Sequence, residues 1–302
     1  MSMDVILDTD IATDVDDCLA LALIAQSPEL RLAGVSCVYG DVDLRARFAS
    51  KLLGLDPRMH DVPVTAGTRL PLMKKRAIFW GGHEGAGLID DSTSDISIRY
   101  SDEHAVDFII RMANERPGLM HLIGIAPLTN IALALMRQPN LPLKHITLMG
   151  GVVRSPDRLD LPIAEHNILC DPEAAHVVFS SGIPMTVVPL DLTTTVRLHR
   201  AGVERIRAAG TPFQQAVARQ VELYPFFAAN GYTFLHDPLA VATLIEPTLV
   251  RTTRVRANVE LAGEYASGAT LFRADPNGTI DLATSVDVER FEAFLVDRLS
   301  AV

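Results

Sequence analysis

The segment Val5–Leu21, VILDTDIATDVDDCLAL, decides the fold more than any other stretch of this chain. Its apolar start, Val5–Leu7, is typical of a buried strand, and the run Asp17–Gln26 predicts a helix that is apolar nearly all round. Five aspartates lie within residues 8–17, where strand and helix meet. The segment therefore predicts a strand, a strongly acidic loop and a buried helix in direct succession.

The five aspartates of this loop repel one another strongly unless positive charge lies among them. No Lys or Arg precedes Arg31, so no side chain nearby in the sequence can neutralise them. A bound cation is the simplest explanation, and an oxygen-only ligand set favours a hard ion. Asp8 and Asp10 point to one side of an extended strand end, while Asp16 and Asp17 begin a helix. Helix capping alone would explain one or two of these aspartates but not five.

Short apolar strands alternate with helices as far as residue 190, which implies right-handed βαβ crossovers. The further strands are predicted at Leu32–Val38, His121–Ile125, His145–Met149 and Met185–Val188. The helices are predicted at Arg45–Leu55, Asp102–Asn114, Pro127–Met136 and Asp171–Ser180. We therefore expect an α/β fold with an open, mostly parallel sheet flanked by helices. No linker or repeat interrupts the pattern, so residues 1–302 are expected to form a single domain.

The pattern becomes more helical beyond residue 190, and strands return near the end of the chain. Helices are predicted at Ala201–Ala209, Phe213–Leu223, His236–Ile245 and Val286–Leu299. Strands are predicted at Val255–Leu261, Ala269–Phe272 and Ile280–Leu282. In open parallel sheets the loops at the carboxyl ends of the strands build the site. The aspartate loop follows a strand in this way, so we expect the site at that edge.

Composition excludes several classes of function. The formal net charge of −10 argues against nucleic-acid binding, which requires clustered basic surface. No uninterrupted apolar stretch reaches the length of a membrane span. The three cysteines form no Cys-x-x-Cys pair, and an odd number fits a reducing compartment. A cytoplasmic protein that acts on a small molecule is the expected class.

A second acidic motif, LHDPLA at residues 235–240, opens a predicted helix far from the first loop in sequence. Asp237 could supply a distant carboxylate to the same cation. His236 could titrate near neutrality and act as a general acid. The alternative is that Asp237 merely caps the helix, with Pro238 at its first position. The motif alone does not decide between the two.

A third motif, AEHNILCDPEAA at residues 164–175, contains a helix start at Asp171. Glu165 and Asn167 precede it and lie one residue apart. A carboxylate and an amide in this arrangement suit the hydroxyl groups of a sugar. The alternative is that both are polar side chains that simply face solvent.

Together these motifs resemble the nucleoside hydrolase family, the inosine-uridine-preferring N-glycosidases that depend on calcium. Three matching blocks are the aspartate loop and the motifs at residues 164–175 and 235–240; the fourth is APLTNIA at residues 126–132. The four blocks occur in the order found in the family and spread over most of the chain. One acidic loop would be weak evidence, whereas four ordered blocks are specific.

The resemblance implies a calcium site and a catalytic base. Asp10 would bridge calcium and the attacking water and serve as general base. Asp17, Asp237 and the carbonyl of Ile125 would complete the ligand set, and Asp8 would orient these groups.

The resemblance also implies how the substrate is held. Asp16 would bind the ribose hydroxyls, while Glu165 and Asn167 would hold the sugar near its 5′ end. His236 resembles the histidine that protonates the departing base. The expected partner is therefore a nucleoside, and the resemblance further suggests a homodimer or homotetramer.

The chain departs from the pattern of the family around the substrate. The acidic loop is two residues longer, which makes Asp14 a rival of Asp16 or a supporting group. Asp41 stands where many members have asparagine, and it is predicted to contact substrate. His83 is the nearest match to a histidine of the family but is offset from its position, and it is also predicted to contact substrate. These departures leave the base and the form of the sugar open.

Aromatic residues near the predicted site could bind the base. Trp80 could stack on it, with core packing as the alternative. A group before His236 could form a flap over the base, although packing is the simpler interpretation for most of its members. That group comprises Tyr224, Phe226, Phe227 and Tyr232.

The function predicted is calcium-dependent hydrolysis of the N-glycosidic bond of a ribonucleoside, which yields free base and ribose. Two alternatives are hydrolysis of a modified nucleoside and a catalytically weak, calcium-dependent protein that binds nucleosides or sugars. A phosphatase of the haloacid-dehalogenase type also begins with a strand and Asp-x-Asp. That alternative would leave the motif at residues 235–240 without a role.

Overall fold

The computed structural model describes residues 2–74, 76–89 and 98–301. In this part of the chain nine strands form one sheet, and two short strands form a separate two-stranded sheet. The strands are β1 (Met3–Thr9), β2 (Leu30–Cys37), β3 (Val64–Ala66), β4 (His121–Gly124), β5 (His145–Met149), β6 (Met185–Val188), β7 (Arg197–His199), β8 (Tyr232–Phe234), β9 (Val250–Val259), β10 (Thr270–Ala274) and β11 (Ile280–Val286).

Helices connect most of these strands, and several more lie between β6 and β9. They are α1 (Asp16–Ala25), α2 (Val42–Leu53), α3 (Ala105–Glu115), α4 (Thr129–Arg137), α5 (His166–Cys170), α6 (Pro172–Phe179), α7 (Leu190–Thr193), α8 (Arg200–Ala208), α9 (Pro212–Leu223), α10 (Pro225–Asn230), α11 (His236–Ile245) and α12 (Val288–Leu299). A short 3₁₀ helix spans Pro247–Leu249. None of the described helices combines the length and apolar character needed to cross a membrane.

The large sheet is parallel over most of its width, as the sequence predicted. The strand order is β10-β9-β11-β6-β5-β4-β1-β2-β3. All pairs from β11 to β3 are parallel, and β9 pairs antiparallel with both β11 and β10. The small sheet of β7 and β8 is antiparallel. The expectation of an open, mostly parallel sheet flanked by helices is therefore confirmed.

Strand β1 is buried on both faces because the sheet has an apolar layer on each side. Leu7 belongs to one layer and its neighbour Ile6 to the other, as the alternation of side chains in a strand requires. Helix α1 packs in the first layer against α11, and every residue of α1 is buried. This burial explains why the helix is apolar all round.

Some boundaries differ from those predicted. Strand β11 continues to Val286, so the last helix begins at Val288 rather than Val286. Strand β9 begins at Val250, five residues before the predicted start at Val255. The short elements β3, β7, β8 and α5 were not predicted, because elements of three to five residues carry little periodicity.

Candidate active site

A cavity of about 210 Å³ opens at the carboxyl edge of the parallel strands. It is formed by the segments that follow β1, β4, β5 and β8, and most of the predicted site residues line it. Those residues are Asp10, Asp14, Asp16, Asp17, Ile125, Glu165, Asn167, His236 and Asp237. The fold thus brings together groups that are more than 220 residues apart in sequence, as the motifs predicted.

Three aspartates form the acidic centre of this cavity. Carboxylate oxygens of Asp16, Asp17 and Asp237 lie within 4.8 Å of one another, and all three side chains are buried. Burial, reinforced by the neighbouring negative charges, raises the pKa of Asp16 to about 8 and the pKa of Asp17 and Asp237 well above the ordinary range. Three buried oxygen ligands with this mutual repulsion fit a hard divalent cation. The cluster is therefore a candidate metal site.

Asp237 does not cap its helix, so the capping interpretation is wrong. Helix α11 begins one residue earlier, at His236, and Leu235 occupies the capping position without a side-chain hydrogen bond. The Asp237 carboxylate instead joins the acidic cluster. Its backbone N–H lies against the Asp16 carboxylate and favours the charged form of that group.

Asp10 and Asp8 lie beside the cluster and differ in their surroundings. Asp10 lines the cavity, but it does not belong to the group of three. Asp8 is fully buried, and its Oδ1 accepts hydrogen bonds from the Ser36 hydroxyl at 2.5 Å and Asn130 Nδ2 at 2.9 Å. Its Oδ2 has no hydrogen-bond partner among the described residues. Burial raises the pKa of Asp8 to about 7.

Arg45 lines the cavity and was given no role by the sequence, as is also true of Tyr39 and His166. Arg45 is only 1% exposed, and its guanidinium donates to the carbonyls of Asp10 and Ile11 and to the hydroxyl of Thr13. These contacts hold a loop in which Ala12 has φ +92°, a left-handed conformation that costs a non-glycine residue free energy. No sequence signal marks Arg45, because its partners are mostly backbone atoms.

Glu165 and Asn167 are buried, so they are not simply polar side chains that face solvent. Glu165 accepts hydrogen bonds from the backbone N–H of Gly151 at 3.0 Å and of Asn167 at 2.8 Å. Burial raises its pKa in spite of these donors. The Asn167 amide donates to the carbonyls of Ile125 at 3.3 Å and Met149 at 3.2 Å. Both side chains are therefore fixed where they line the cavity.

His236 also lines the cavity, and its surroundings differ from the expectation. Its Nδ1 lies 2.7 Å from the hydroxyl of Thr193, which fixes the ring. Burial lowers the pKa of His236 to about 4, so the imidazole is neutral at pH 7 rather than titrating there. A neutral imidazole still carries one N–H donor.

Three residues predicted to bind substrate do not line this cavity. Asp41 caps α2, since its carboxylate accepts from the backbone N–H groups of Asp43 and Leu44. Trp80 lies against Arg45, with the guanidinium carbon 5.4 Å from the centre of the ring. His83 lines a smaller adjoining cavity, which it shares with Asp14.

Similarity to known proteins extends over nearly the whole chain. The sequence model described as inosine-uridine preferring nucleoside hydrolase matches residues 5–293. The pyrimidine-specific ribonucleoside hydrolase RihA of Salmonella arizonae is 33% identical over 314 residues, which cover 99% of each protein. RihA of an Enterobacter species is 34% identical over 315 residues, which cover 99% of this chain and 98% of the relative.

Solved structures of the same kind of enzyme share the fold. A purine-preferring ribonucleoside hydrolase from Gardnerella vaginalis is 31% identical, with a TM-score of 0.84 over 98% of both chains. A plant nucleoside hydrolase is 28% identical, with a TM-score of 0.86 over 100% of both chains. These matches leave no support for a phosphatase.

Proposed function

The chain belongs to the inosine-uridine preferring nucleoside hydrolase family and is an N-glycosyl hydrolase that cleaves ribonucleosides, and from this premise we propose that it depends on calcium. The observation that carries the proposal is the group of buried carboxylates Asp16, Asp17 and Asp237, whose oxygens lie within 4.8 Å of one another. A set of oxygen donors without nitrogen or sulfur suits calcium better than zinc or copper.

We assign the metal ligands to both ends of the chain. Asp17 and Asp237 belong to the cluster, and Asp10 and the carbonyl of Ile125 line the same cavity. Asp16 lies close enough to share the ion or to hold the sugar beside it. Calcium, when bound, supplies positive charge that polarises water and offsets the repulsion among the carboxylates.

Asp10 is proposed as the general base. It lines the cavity, and burial raises its pKa, which strengthens the carboxylate as a proton acceptor. It would take a proton from the water that attacks the anomeric carbon. Departure of the base develops positive charge on the sugar, as in glycoside hydrolysis. The surrounding carboxylates stabilise that charge.

The remaining side chains are proposed to hold the nucleoside. Asp16 would bind ribose hydroxyls, and Glu165 and Asn167 would face the 5′ end of the sugar. His236 would donate its N–H to the departing base, and its contact with Thr193 keeps the ring oriented. Asp8 would help to position the cluster, since hydrogen bonds from Ser36 and Asn130 fix its carboxylate.

The substrate could also be a modified nucleoside. This alternative is supported by Asp41 and Trp80, which the sequence assigned to substrate and which do not line the cavity. We further propose that residues 1–302 form one catalytic domain and that the protein assembles as a homodimer or homotetramer.

A panel of uridine, cytidine, inosine and adenosine, assayed for released base with and without a chelator, tests the function. We expect turnover of at least one nucleoside, which is lost on chelation and restored by calcium. Asp10→Asn should abolish turnover while the fold is retained. A panel from which no free base appears, with modified ribosides included, would contradict hydrolysis.

A further inference from the structure

Asp14 lies in the acidic loop but outside the cluster that would hold the metal. Its side chain is exposed, and its Oδ1 accepts a hydrogen bond from the hydroxyl of Tyr224 at 3.0 Å. Asp14 lines the main cavity and also the adjoining cavity that contains Tyr224 and His83. The carboxylate therefore stands at the boundary between the acidic centre and a region walled by rings.

An unbroken row of rings leads from His236 in the main cavity to the tyrosine that holds this carboxylate. The centre of the His236 ring is 5.4 Å from that of Phe234, which is 5.6 Å from that of Phe226. Phe226 is 6.3 Å from Tyr224, and Tyr224 is 6.0 Å from His83. All five side chains are partly exposed. A row of accessible rings beside the acidic centre suits a planar heterocycle, which stacks on aromatic faces.

The Asp14 carboxylate, which Tyr224 holds near the end of this row, can distinguish one base from another. A carboxylate only accepts hydrogen bonds, so it favours an N–H group and repels a carbonyl oxygen. Burial, with the nearby negative charge of Asp14, raises the pKa of Tyr224 above its ordinary value, so its hydroxyl remains a donor to Asp14. The second oxygen of Asp14 has no hydrogen-bond partner among the described residues and is left to accept from a ligand.

We propose that Asp14, held by Tyr224, selects the leaving base and favours nucleosides whose base carries an exocyclic amino group. The enzyme should therefore prefer cytidine to uridine and adenosine to inosine. The proposal rests on the nucleoside hydrolase function and adds the recognition of the base. It gives the two extra residues of the acidic loop a role, because they place a fifth aspartate beside the rings rather than in the cluster.

The test compares kcat/KM for cytidine with uridine, and for adenosine with inosine, in the wild type and in Asp14→Asn. In the wild type we expect the amino-bearing substrate to be favoured by about 10-fold or more, since the ring N–H of uracil or hypoxanthine lies beside a carbonyl oxygen that the carboxylate repels. Asp14→Asn should reduce both ratios by about 10-fold, because the amide can also donate to a carbonyl. Tyr224→Phe should reduce them by about 3-fold, since it only frees the carboxylate to move.

Asp61→Asn is the matched control, because the Asp61 side chain is 90% exposed and does not line either cavity. It should leave both ratios unchanged. Equal losses on all four substrates in Asp14→Asn, or ratios that do not change, would overturn the proposal. Wild-type ratios near one would overturn it as well, even with vigorous hydrolysis. Absence of hydrolysis of any nucleoside would instead overturn the proposed function on which it rests.

Discussion

At the carboxyl edge of the parallel sheet three buried aspartates crowd together, whereas at its amino edge two histidines begin neighbouring strands. His121 and His145 are paired in register at the start of β4 and β5, with ring centres 6.0 Å apart. Neither ring nitrogen of His121 has a hydrogen-bond partner among the described residues. Burial lowers the pKa of His121 to about 4 and also lowers that of His145.

The difference between the edges shows what burial does to opposite kinds of group. Burial disfavours charge in both places. A histidine escapes this cost by losing its proton, so the amino edge is stable at pH 7 without a ligand. Arg45 offsets only part of the repulsion among the aspartates, whose pKa values stay raised, so the rest is relieved by taking up protons or binding a cation. The carboxyl edge therefore gives up stability for a site that a cation completes.

The largest effect should follow from removing one carboxylate of the cluster. We expect Asp237→Asn to lower kcat/KM by about 10³-fold or more, equivalent to roughly 4 kcal/mol of transition-state stabilisation. Release of free base from uridine and inosine measures the effect, with Asp61→Asn as the control. A loss smaller than about 10-fold would show that the cluster is not needed for catalysis. The carboxyl edge would then no longer differ from the amino edge in serving function.

The next effect concerns the arginine beneath the acidic loop. Arg45→Met should lower the free energy of unfolding by about 3 kcal/mol, because it leaves buried backbone carbonyls without donors. Urea denaturation measures this change. Arg47→Met, in the same helix, is the comparison and should cost much less, since Arg47 is not among the fully buried side chains. Equal losses in the two variants would contradict a special role of Arg45 in holding the loop.

Opposite dependences on pH should distinguish the two edges in the metal-free protein. The pKa of Asp16 is near 8 in the folded state, above its unfolded value near 4. At Asp16 the folded state therefore binds more protons between these values, and the contribution of this group to stability falls as pH rises from about 4 to 8, by at most about 1.4 kcal/mol per pH unit. Thermal unfolding with a chelator present should show this fall, and Asp16→Asn should reduce it. If stability depends on pH in Asp16→Asn as it does in the wild type, the raised pKa of Asp16 is contradicted.

The smallest effect is expected at the amino edge. The folded pKa of His121 is about 4, below its ordinary value of 6.5. The unfolded state therefore binds more protons between these values, so stability is complete above pH 6.5 and is lost as pH falls through this window. His121→Phe should remove about 2 kcal/mol of the loss between pH 7 and pH 5. His60→Phe, which alters a largely exposed ring, should not. The same dependence of stability on pH in both variants would contradict the claim that burial lowers the pKa of His121.

The acidic edge could be predicted from sequence because its signal is concentrated in short motifs. The loop from Asp8 to Asp17 follows a clear strand, and Asp237 opens a clear helix. Strand ends of a parallel sheet meet at one edge, so their convergence follows from the fold class. Glu165 and Asn167 line the cavity, although their burial was not evident from the sequence.

Other features could not be predicted because they depend on distant backbone atoms. Arg45 reaches carbonyls of another segment, and no pattern in its own helix indicates this. Asp41 carries the same carboxylate as the cluster residues, yet it begins a helix and caps it. The low pKa of His236 arises from burial, which its neighbours in sequence do not reveal. The identity of the site residues was thus easier to predict than their burial, hydrogen-bond partners and pKa values.

The most direct test of the calcium site is a titration of the metal-stripped protein with calcium, followed by initial rates of base release. We predict that activity is absent in excess chelator and returns as one calcium ion binds per chain, and that Asp17→Asn neither binds the ion nor recovers. Full base release in excess chelator, or undiminished calcium binding by Asp17→Asn, would contradict a metal held between the two ends of the chain.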